Sequence, residues 1–307
     1  MPRASDRETR SAIQYLDRRT GEVREEVVLG EGFVRWVYER ALGGILRRSL
    51  LTRLGPSKAY GMWQSSSLSK RAIPGVVKQL SIDMDECIVP ERGFTSFNDF
   101  FTRRLRPGAR PVVADPRRLA SPADGRTFAY VDVQGDTLLP AKGHQISLRE
   151  LLADDTEAAR FAGGTVIIVR LCPADYHRFH FPCAGVASAS RTVAGPLESV
   201  SPIALARGHA ILDRNKRDVA YIDSPVFGRV AYLEIGAMFV GSIVQTYRPG
   251  DVAAGEEKGC FEFGGSTVIL VLEPGRVKVD ADLVDSTHRG TEVLLRMGEG
   301  IATAEKP

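Results

Sequence analysis

Residues 259–275 read GCFEFGGSTVILVLEPG, in which a glycine pair is followed by two hydroxyl residues and an apolar run. The run is rich in Val, Ile and Leu and ends at Pro274–Gly275, which predicts a short β-strand. Taken alone, Gly264–Gly265 is most simply the turn of a hairpin. A chemical interpretation is also open, because glycine leaves its carbonyl accessible and the hydroxyl of Ser266 lies beside it. Such a hydroxyl needs a base to become a nucleophile, and the base needs an orienting partner.

Further short runs rich in Val and Ile occur before this stretch, each bounded by Gly, Pro, Asp or Asn. They are RTFAYVDV (126–133), GTVIIVRL (164–171), GVASASRTV (185–193), DVAYIDS (218–224) and GRVAYLEIGAMFVGSIV (228–244), and STVILVLEPGRVKV (266–279) extends the stretch quoted above. The first third of the chain has a helical pattern instead. We therefore predict an α+β fold, with a helical N-terminal region (1–106) followed by a β-rich core (107–307), rather than alternating βαβ units.

The N-terminal region begins with a segment of about 30 residues that is rich in charged side chains and that we expect to be exposed. Residues 33–54 then carry an amphipathic helical pattern, whose apolar half collects Phe33, Val34, Val37, Tyr38, Ala41, Leu42 and Ile45. Two interpretations remain open for this helix. It packs on the core of the protein, or it lies in a membrane interface with Trp36 and Trp63 near the surface. Residues 65–106 are also predicted to be helical, with Phe97, Phe100, Phe101 and Leu105 at helical spacing.

Composition excludes several classes of protein. The 307 residues are 43% apolar and 26% charged, so the chain can bury a core and is not disordered throughout. A net charge of +3 does not indicate a nucleic-acid partner. No window of about 18 uncharged apolar residues predicts a membrane span, and the polar N-terminus lacks the apolar part of a signal peptide. The four cysteines fit no zinc or disulfide spacing and are expected to be reduced and buried.

Few residues could carry acid–base chemistry, because the chain has only five histidines. His177 and His180 stand three apart in YHRFH, which is an incomplete metal pair, since no nearby carboxylate or cysteine spacing completes a site. No metal is therefore expected, and hydrogen-bonded structural histidines are the simplest alternative. Asp124 in SPADGR would by itself be only a turn residue.

Seven blocks nevertheless occur in one order along the chain: FNDFFTRRLRPGARPV, SPADG, KGHQISLRELL, YHRFHFPCAG, SPIALARGHAILDRNKR, EIGAMFVGSI and GEEKGCFEFGGSTVI. Together they resemble the phosphatidylserine decarboxylases, pyruvoyl-dependent enzymes that make phosphatidylethanolamine. The resemblance runs from YLDRRTGEV (15–23) to VILVLEPG (268–275) and so covers nearly the whole chain. The GGST motif is that of a bacterial branch of the family, whereas many other members have LGST.

The resemblance implies that the precursor cuts its own chain at Gly265–Ser266, leaving a large chain (1–265) and a small chain (266–307). The Ser266 hydroxyl would attack the Gly265 carbonyl to give an ester. Elimination would then free the Gly265 carboxylate and leave a dehydroalanine at position 266, which hydrolysis would convert to a pyruvoyl group and ammonia. The family's relay maps onto Asp124, His180 and Ser266, with His180 as the base and Asp124 as its orienting partner.

The resemblance also implies the reaction that follows. The pyruvoyl group derived from Ser266 would form a Schiff base with the amine of phosphatidylserine and accept the electrons released when CO2 leaves, so no pyridoxal phosphate is expected. His177 would then return a proton. Residues three apart on a regular strand face opposite sides, so both histidines reach the site only if the YHRFHFP segment turns.

A lipid substrate favours the membrane interpretation of residues 33–54. The resemblance then implies a peripheral protein on the cytoplasmic face of the cell membrane and a homodimer, with no nucleic-acid partner. The membrane contacts expected on an anionic lipid surface are Phe33, Trp36, Val37, Leu42 and Ile45. Two other functions remain open: decarboxylation of a small soluble amino acid after the same maturation, and lipid binding by a protein whose active site has decayed.

Overall fold

The computed structural model describes residues 13–39, 61–134, 147–205, 211–237, 243–263 and 266–305. The helices in these ranges are α1 (Glu31–Glu39), α2 (Ile73–Leu80), α3 (Phe97–Phe101), α4 (Leu148–Leu152), α5 (Asp155–Phe161), α6 (Pro202–Leu205) and α7 (Ala281–His288), with a 3-10 turn at Ser69–Ala72. The strands are β1 (Gln14–Asp17), β2 (Val23–Glu25), β3 (Arg118–Ala120), β4 (Gly125–Val133), β5 (Gly164–Leu171), β6 (Arg178–His180), β7 (Gly185–Ala187), β8 (Arg191–Val193), β9 (Arg217–Ser224), β10 (Gly228–Ile235), β11 (Ile243–Gln245), β12 (Gly250–Val252), β13 (Glu257–Phe261), β14 (Ser266–Leu272), β15 (Val277–Val279), β16 (Glu292–Leu295) and β17 (Gly300–Ala304).

A large sheet forms the centre of the described structure. Its strands follow the order β12–β7–β9–β10–β14–β5–β4–β16–β1–β2, and β8 pairs with β9. The pairing of β1 with β16 is parallel, whereas the central strands β9, β10, β14, β5 and β4 pair antiparallel. Two three-stranded sheets, β11–β13–β6 and β15–β17–β3, accompany it. The sheet-rich core confirms the mixed α and β fold predicted from the sequence.

The central strand β14 is buried along its whole length because both faces of the sheet are covered. Val268, Leu270 and Leu272 point into one hydrophobic cluster, and Ile269 and Val271 point into the other. Helices α4, α5 and α6 supply part of the second cluster. A strand buried on both faces has no polar side, which explains why its sequence is continuously apolar rather than alternating.

The N-terminal region is less helical than the sequence predicts. Residues 81–96 are not helical, so the prediction of a helix across residues 65–106 is wrong there. The physical reason is local: Ser81 follows α2 in a left-handed conformation with φ of 52°, which ends the helix. Helix α3 is confirmed, but it ends at Phe101, so the helical prediction is also wrong at Leu105. The side chain of Ser96 caps the N-terminus of α3 by accepting a hydrogen bond from the Asp99 amide.

Residues 14–25 also differ from the expectation of an exposed, charged segment. They form β1 and β2, and β1 adds to the main sheet beside β16. Tyr15 and Asp17 are buried there. The pattern QYLD is too short and too polar to predict a strand, and its pairing partner lies more than 270 residues away along the chain.

Helix α1 packs against α6 and is fixed by a tyrosine. The Tyr38 hydroxyl donates to the carboxylate of Glu198 at 2.8 Å and accepts from the Ser199 amide at 2.8 Å. Val37 is fully buried. A buried side chain cannot contact a membrane, so the expected membrane contact at Val37 is wrong in this structure.

The other expected membrane contacts are placed differently. Trp36 is 41% exposed on α1. The side chain of Phe33, together with Leu42 and Ile45, lies outside the described part of the chain. No helix among the described residues is long and apolar enough to cross a membrane.

All four cysteines are buried and unbridged, as the sequence predicts. Burial raises the pKa of Cys172 and of Cys183 to about 12, which keeps both thiols protonated at neutral pH. These two thiols are therefore poor nucleophiles, and they serve as packing groups.

A buried ion pair joins β13 to β10. The Lys258 ammonium donates to Glu234 at 2.6 Å and to the side-chain oxygen of Gln245 at 2.9 Å, and both charged side chains are fully buried. It also lies 4.6 Å from the ring centre of Tyr247 and 4.9 Å from that of Tyr232. It also donates to the Ser190 hydroxyl at 3.3 Å, so the cation is held by a carboxylate, an amide, a hydroxyl and aromatic faces.

We expect the variant Lys258→Met to lower the free energy of unfolding by about 3–5 kcal/mol, because it leaves the Glu234 carboxylate buried without its cation. The double variant Lys258→Met/Glu234→Leu should recover most of that loss. Urea unfolding measures both effects, in a Ser266→Ala background that is expected to keep the chain intact. Equal stability of the single and double variants would contradict this account.

Candidate active site

Three segments of the chain meet at one edge of the main sheet. Strand β14 begins at Ser266, whose partner across the sheet is Leu171, the last residue of β5. On the other side of β5, Arg170 pairs with Arg126, so the start of β4 lies at the same edge. Asp124 directly precedes β4. Two strand spacings separate β4 from β14, so the backbones near Asp124 and Ser266 are roughly 10 Å apart.

The segment that follows β5 carries both histidines to this edge. Strand β6 pairs with β13, and the carbonyl of His177 accepts a hydrogen bond from the Phe261 amide at 2.9 Å. At the other end of β6, the His180 amide donates to the carbonyl of Pro122 at 2.8 Å. Strand β6 therefore links the strand before the predicted cleavage bond to the loop that carries Asp124. Gly265 itself lies outside the described residues.

His177 lies just before the regular part of β6, which starts at Arg178. The sequence requires this segment to turn if both rings are to face one site, and that requirement stays a prediction. The backbone contacts nevertheless bring the segments that carry Asp124, His177, His180 and Ser266 into one region, and no periodicity in the sequence predicts that proximity.

The hydroxyl of Ser266 is buried and unpaired. The residue is fully buried, and its Oγ has no hydrogen-bond partner among the described residues. Buried polar atoms are almost always hydrogen-bonded, so an unpaired one needs an explanation. A nucleophile whose partner arrives during the reaction is one explanation that fits this position.

The ring of His177 is held in one tautomer. Its Nδ1 lies 3.0 Å from the carbonyl oxygen of Asp175, which can only accept, so Nδ1 carries the proton. Its Nε2 is buried without a partner in the described part of the chain. The ring lies on Phe101, with 3.8 Å between ring centres. Burial, together with the nearby charge of Arg103, lowers the pKa of His177 to about 3.

His180 is also neutral. Burial lowers its pKa to about 4, against the opposing charges of Glu257 and Asp124. Its Nδ1 is buried and finds no partner within the described ranges. The ring lies near Tyr176, with 5.8 Å between ring centres. Each histidine thus has one buried ring nitrogen without a partner among the described residues.

The carboxylate of Asp124 is fixed by groups that the sequence did not single out. The Arg110 guanidinium donates to it at 2.7–3.0 Å, and the amide of Met297 donates at 2.8 Å. Arg110 also donates to Glu86 at 2.8 Å. No hydrogen bond joins Asp124 to His180 in the structure. Arg110 stands in the block RPGARPV, but an arginine in a basic, Pro-rich segment carries no local sign of a buried partner.

The lowered pKa values predict how self-cleavage would depend on pH. A depressed pKa keeps histidine in its neutral, basic form down to about pH 4, and the form is lost only as the pH falls further. We expect the rate of cleavage of freshly synthesised chain to change less than about twofold between pH 8 and 5.5. A histidine with the ordinary pKa of about 6.5 would instead slow the reaction about tenfold at pH 5.5. Intact mass spectrometry against time distinguishes the two profiles.

A cavity of about 130 Å³ lies beside this edge. Its lining includes Leu171, the partner of Ser266 across the sheet, and Phe263, which precedes the glycine pair. Most of the lining is apolar and comes from three segments: Val28, Leu29 and Val34 at the N-terminus, Leu171, Cys172 and Pro173 after β5, and Val200 and Pro202 before and within α6. Within the described residues, no group of three or more His, Cys, Asp and Glu side chains is arranged to hold a metal ion.

Comparison with known proteins decides the family. Residues 97–303 match the family model described as phosphatidylserine decarboxylase, which is more than half of the chain. The chain belongs to the phosphatidylserine decarboxylase family. The matched range includes the edge of the sheet at which Asp124, both histidines and Ser266 meet.

Curated members of the phosphatidylserine decarboxylase family are similar over nearly the full chain. A phosphatidylserine decarboxylase proenzyme of Desulfitobacterium hafniense is 39% identical over 295 residues, which cover 96% of this chain and 99% of that protein. The proenzyme of Clostridium beijerinckii is 40% identical, with 95% and 99% covered. That of Fusobacterium nucleatum is 41% identical, with 94% and 96% covered.

Proposed function

We propose that this chain is a phosphatidylserine decarboxylase proenzyme, a carboxy-lyase that cuts itself at Gly265–Ser266 and then converts phosphatidylserine to phosphatidylethanolamine and CO2. The observation that carries the proposal is the buried, unpaired hydroxyl of Ser266 at the edge where Asp124 and two neutral histidines meet. The similarity to proteins named as proenzymes supports it.

In the cleavage step, we propose that His180 takes the proton of the Ser266 hydroxyl as its oxygen attacks the Gly265 carbonyl. His180 suits this task because it is neutral at physiological pH, and because its backbone is joined to the loop that carries Asp124. Asp124 would stabilise the imidazolium once His180 turns toward it. The hydrogen bonds from Arg110 and Met297 keep the Asp124 carboxylate in place.

His177 has a feature that favours it as a second candidate for the same step. Its Nδ1 proton is committed to the carbonyl of Asp175, which leaves Nε2 as the atom that can accept a proton. The register of β6 on β13 also places His177 opposite Phe261, whereas His180 lies opposite Glu257, farther along the chain from the cleavage bond. Substituting each histidine in turn distinguishes which of the two is the base for cleavage.

The surroundings of residue 266 fit a pyruvoyl group. The site is closed to solvent and borders the buried strand β14, and the neutral histidines offer nitrogens that can hold or move a proton. When present, the group supplies a carbonyl that acts as an electron sink for decarboxylation. We propose that His177 delivers the proton that replaces the departed carboxylate on the substrate.

A lipid substrate would reach the site from a membrane surface. The apolar cavity beside Phe263 is walled in part by residues just before and within α1, and Trp36 on that helix is 41% exposed. Trp63 is 50% exposed and Met62 is 70% exposed. We therefore propose a peripheral protein at the cytoplasmic face of the membrane, in which residues 1–106 lie nearest the lipid and 107–307 form the catalytic domain. The proposal includes a homodimer, as the family resemblance implies.

The test compares substrates. Purified protein is given phosphatidylserine in vesicles or detergent, and in parallel free amino acids, and the released CO2 and phosphatidylethanolamine are measured. We expect turnover of the lipid and none of free serine. Turnover of free amino acids alone would instead support the soluble alternative. Binding to vesicles by an uncleaved, inactive chain would support a lipid-binding protein without catalysis.

A further inference from the structure

Helix α3 lies against the segment that leads into the predicted cleavage bond. Phe263 stands three positions before Ser266, and its ring meets two aromatic rings of α3 edge to face. The ring centres lie 4.9 Å from Phe97 and 5.0 Å from Phe101. Phe101 also stacks on His177. One face of α3 therefore contacts both the pre-cleavage segment and a proposed acid–base residue.

Asn98 on α3 adds two hydrogen bonds to the same segment. The Asn98 side-chain oxygen accepts a hydrogen bond from the Phe263 amide at 3.0 Å. Its amide nitrogen donates to the Glu262 carboxylate at 3.2 Å. A single asparagine thus binds two consecutive residues, one through the backbone and one through the side chain.

We infer that Asn98 is a positioning residue for self-cleavage, which holds residues 262–263 so that the Gly265 carbonyl is presented to Ser266. This inference rests on the proposed self-cleavage and adds a residue to it. Asn98 touches neither of the two residues of the cleaved bond in the described contacts, so it acts through the chain that it anchors.

The need for an anchor follows from the sequence of the bond. Glycine has the greatest backbone freedom, and two glycines in a row separate Phe263 from Ser266. Ser266 is fixed because it begins the central strand β14. With the Phe263 amide also fixed, both ends of the glycine pair are tied. Correct orientation of the reacting groups strongly increases the reaction rate, since misplacing them by about 1 Å can lower the rate about a hundredfold.

The experiment measures the rate at which newly synthesised full-length chain is cleaved, by intact mass against time. Asn98→Leu removes both hydrogen bonds at similar volume, and we expect cleavage to slow at least tenfold. Asn98→Asp keeps an acceptor for the Phe263 amide but faces the Glu262 carboxylate, and it should slow cleavage as well. Adding Glu262→Gln to Asn98→Asp restores a donor–acceptor pair and should recover most of the wild-type rate.

Two controls separate positioning from folding. Asp99→Asn changes the neighbouring residue, which bonds to Thr95, and should cleave at the wild-type rate. Thermal unfolding of each variant in the Ser266→Ala background should give midpoints close to that of the parent. Once cleaved, Asn98 variants should decarboxylate at the wild-type rate per cleaved chain.

The outcomes are distinct. Cleavage of Asn98→Leu at the wild-type rate would overturn the inference, and so would failure of Glu262→Gln to improve Asn98→Asp when both are folded. A wild-type chain that never cleaves would instead overturn the proposed self-cleavage itself.

Discussion

Ser266→Ala should remain a single chain of 307 residues and should have no decarboxylase activity. In the proposed mechanism the Ser266 hydroxyl oxygen attacks the Gly265 carbonyl and then leaves in the elimination that turns residue 266 into the precursor of the pyruvoyl group. Alanine has no such oxygen, so one substitution removes both steps. Wild-type protein should instead give two fragments, 1–265 and 266–307. Denaturing intact-mass analysis of the two preparations measures this directly, including the pyruvoyl terminus of the small fragment.

The neighbouring residue offers a matched control. Thr267 is also fully buried, and its hydroxyl is likewise without a partner in the described part of the chain. Its side chain lies on the opposite face of β14, because successive residues of a strand alternate. Thr267→Val removes the hydroxyl at almost the same volume and should still be cleaved. Cleavage of Ser266→Ala after residue 265 would contradict the proposed nucleophile.

The two histidine variants should fail at different stages. We expect His180→Ala to stay uncleaved, because the Ser266 hydroxyl then lacks its base. We expect His177→Ala to be cleaved at least in part but to turn over phosphatidylserine about 10²–10⁴-fold more slowly, the usual contribution of a positioned proton donor. Intact mass reports cleavage, and CO2 release per cleaved chain reports turnover.

The reverse pattern would assign the roles the other way round. If His177→Ala is uncleaved while His180→Ala matures, the tautomer held by Asp175 identifies His177 as the base for cleavage. His288→Ala is a suitable control, since this histidine is exposed at the end of α7. It should behave as wild type in both measurements.

The sequence predicts the parts of this molecule that follow from local pattern. The apolar run of β14 and the other Val- and Ile-rich runs appear as strands, since burial on a sheet leaves a readable composition. The phenylalanines of α3 likewise predict its buried face. Candidate site residues came from family resemblance, because nothing in their spacing shows that they meet.

What the sequence misses depends on contacts distant along the chain. The strand β1 is recognisable only through its partner β16. The Met297 amide that donates to Asp124 lies 173 positions away along the chain. The binding of Phe263 by Asn98 spans 165 positions. Such pairings depend on the order of the strands in the sheet, so no window of local sequence contains them.

The central place of β14 determines what a cut before it can do. Residues 266–305 carry β14, which lies between β10 and β5, and β16, which lies between β4 and β1. A third strand, β17, pairs with β3. Scission at Gly265–Ser266 would therefore leave the two fragments together, because strands of the small fragment lie between strands of the large one in the same sheet. Assembly would have to precede scission, and a mature protein that is once denatured would have to bring two separate pieces together to regain its native form. Self-processing would thus make folding of the single chain irreversible, because refolding after scission would be a bimolecular reaction.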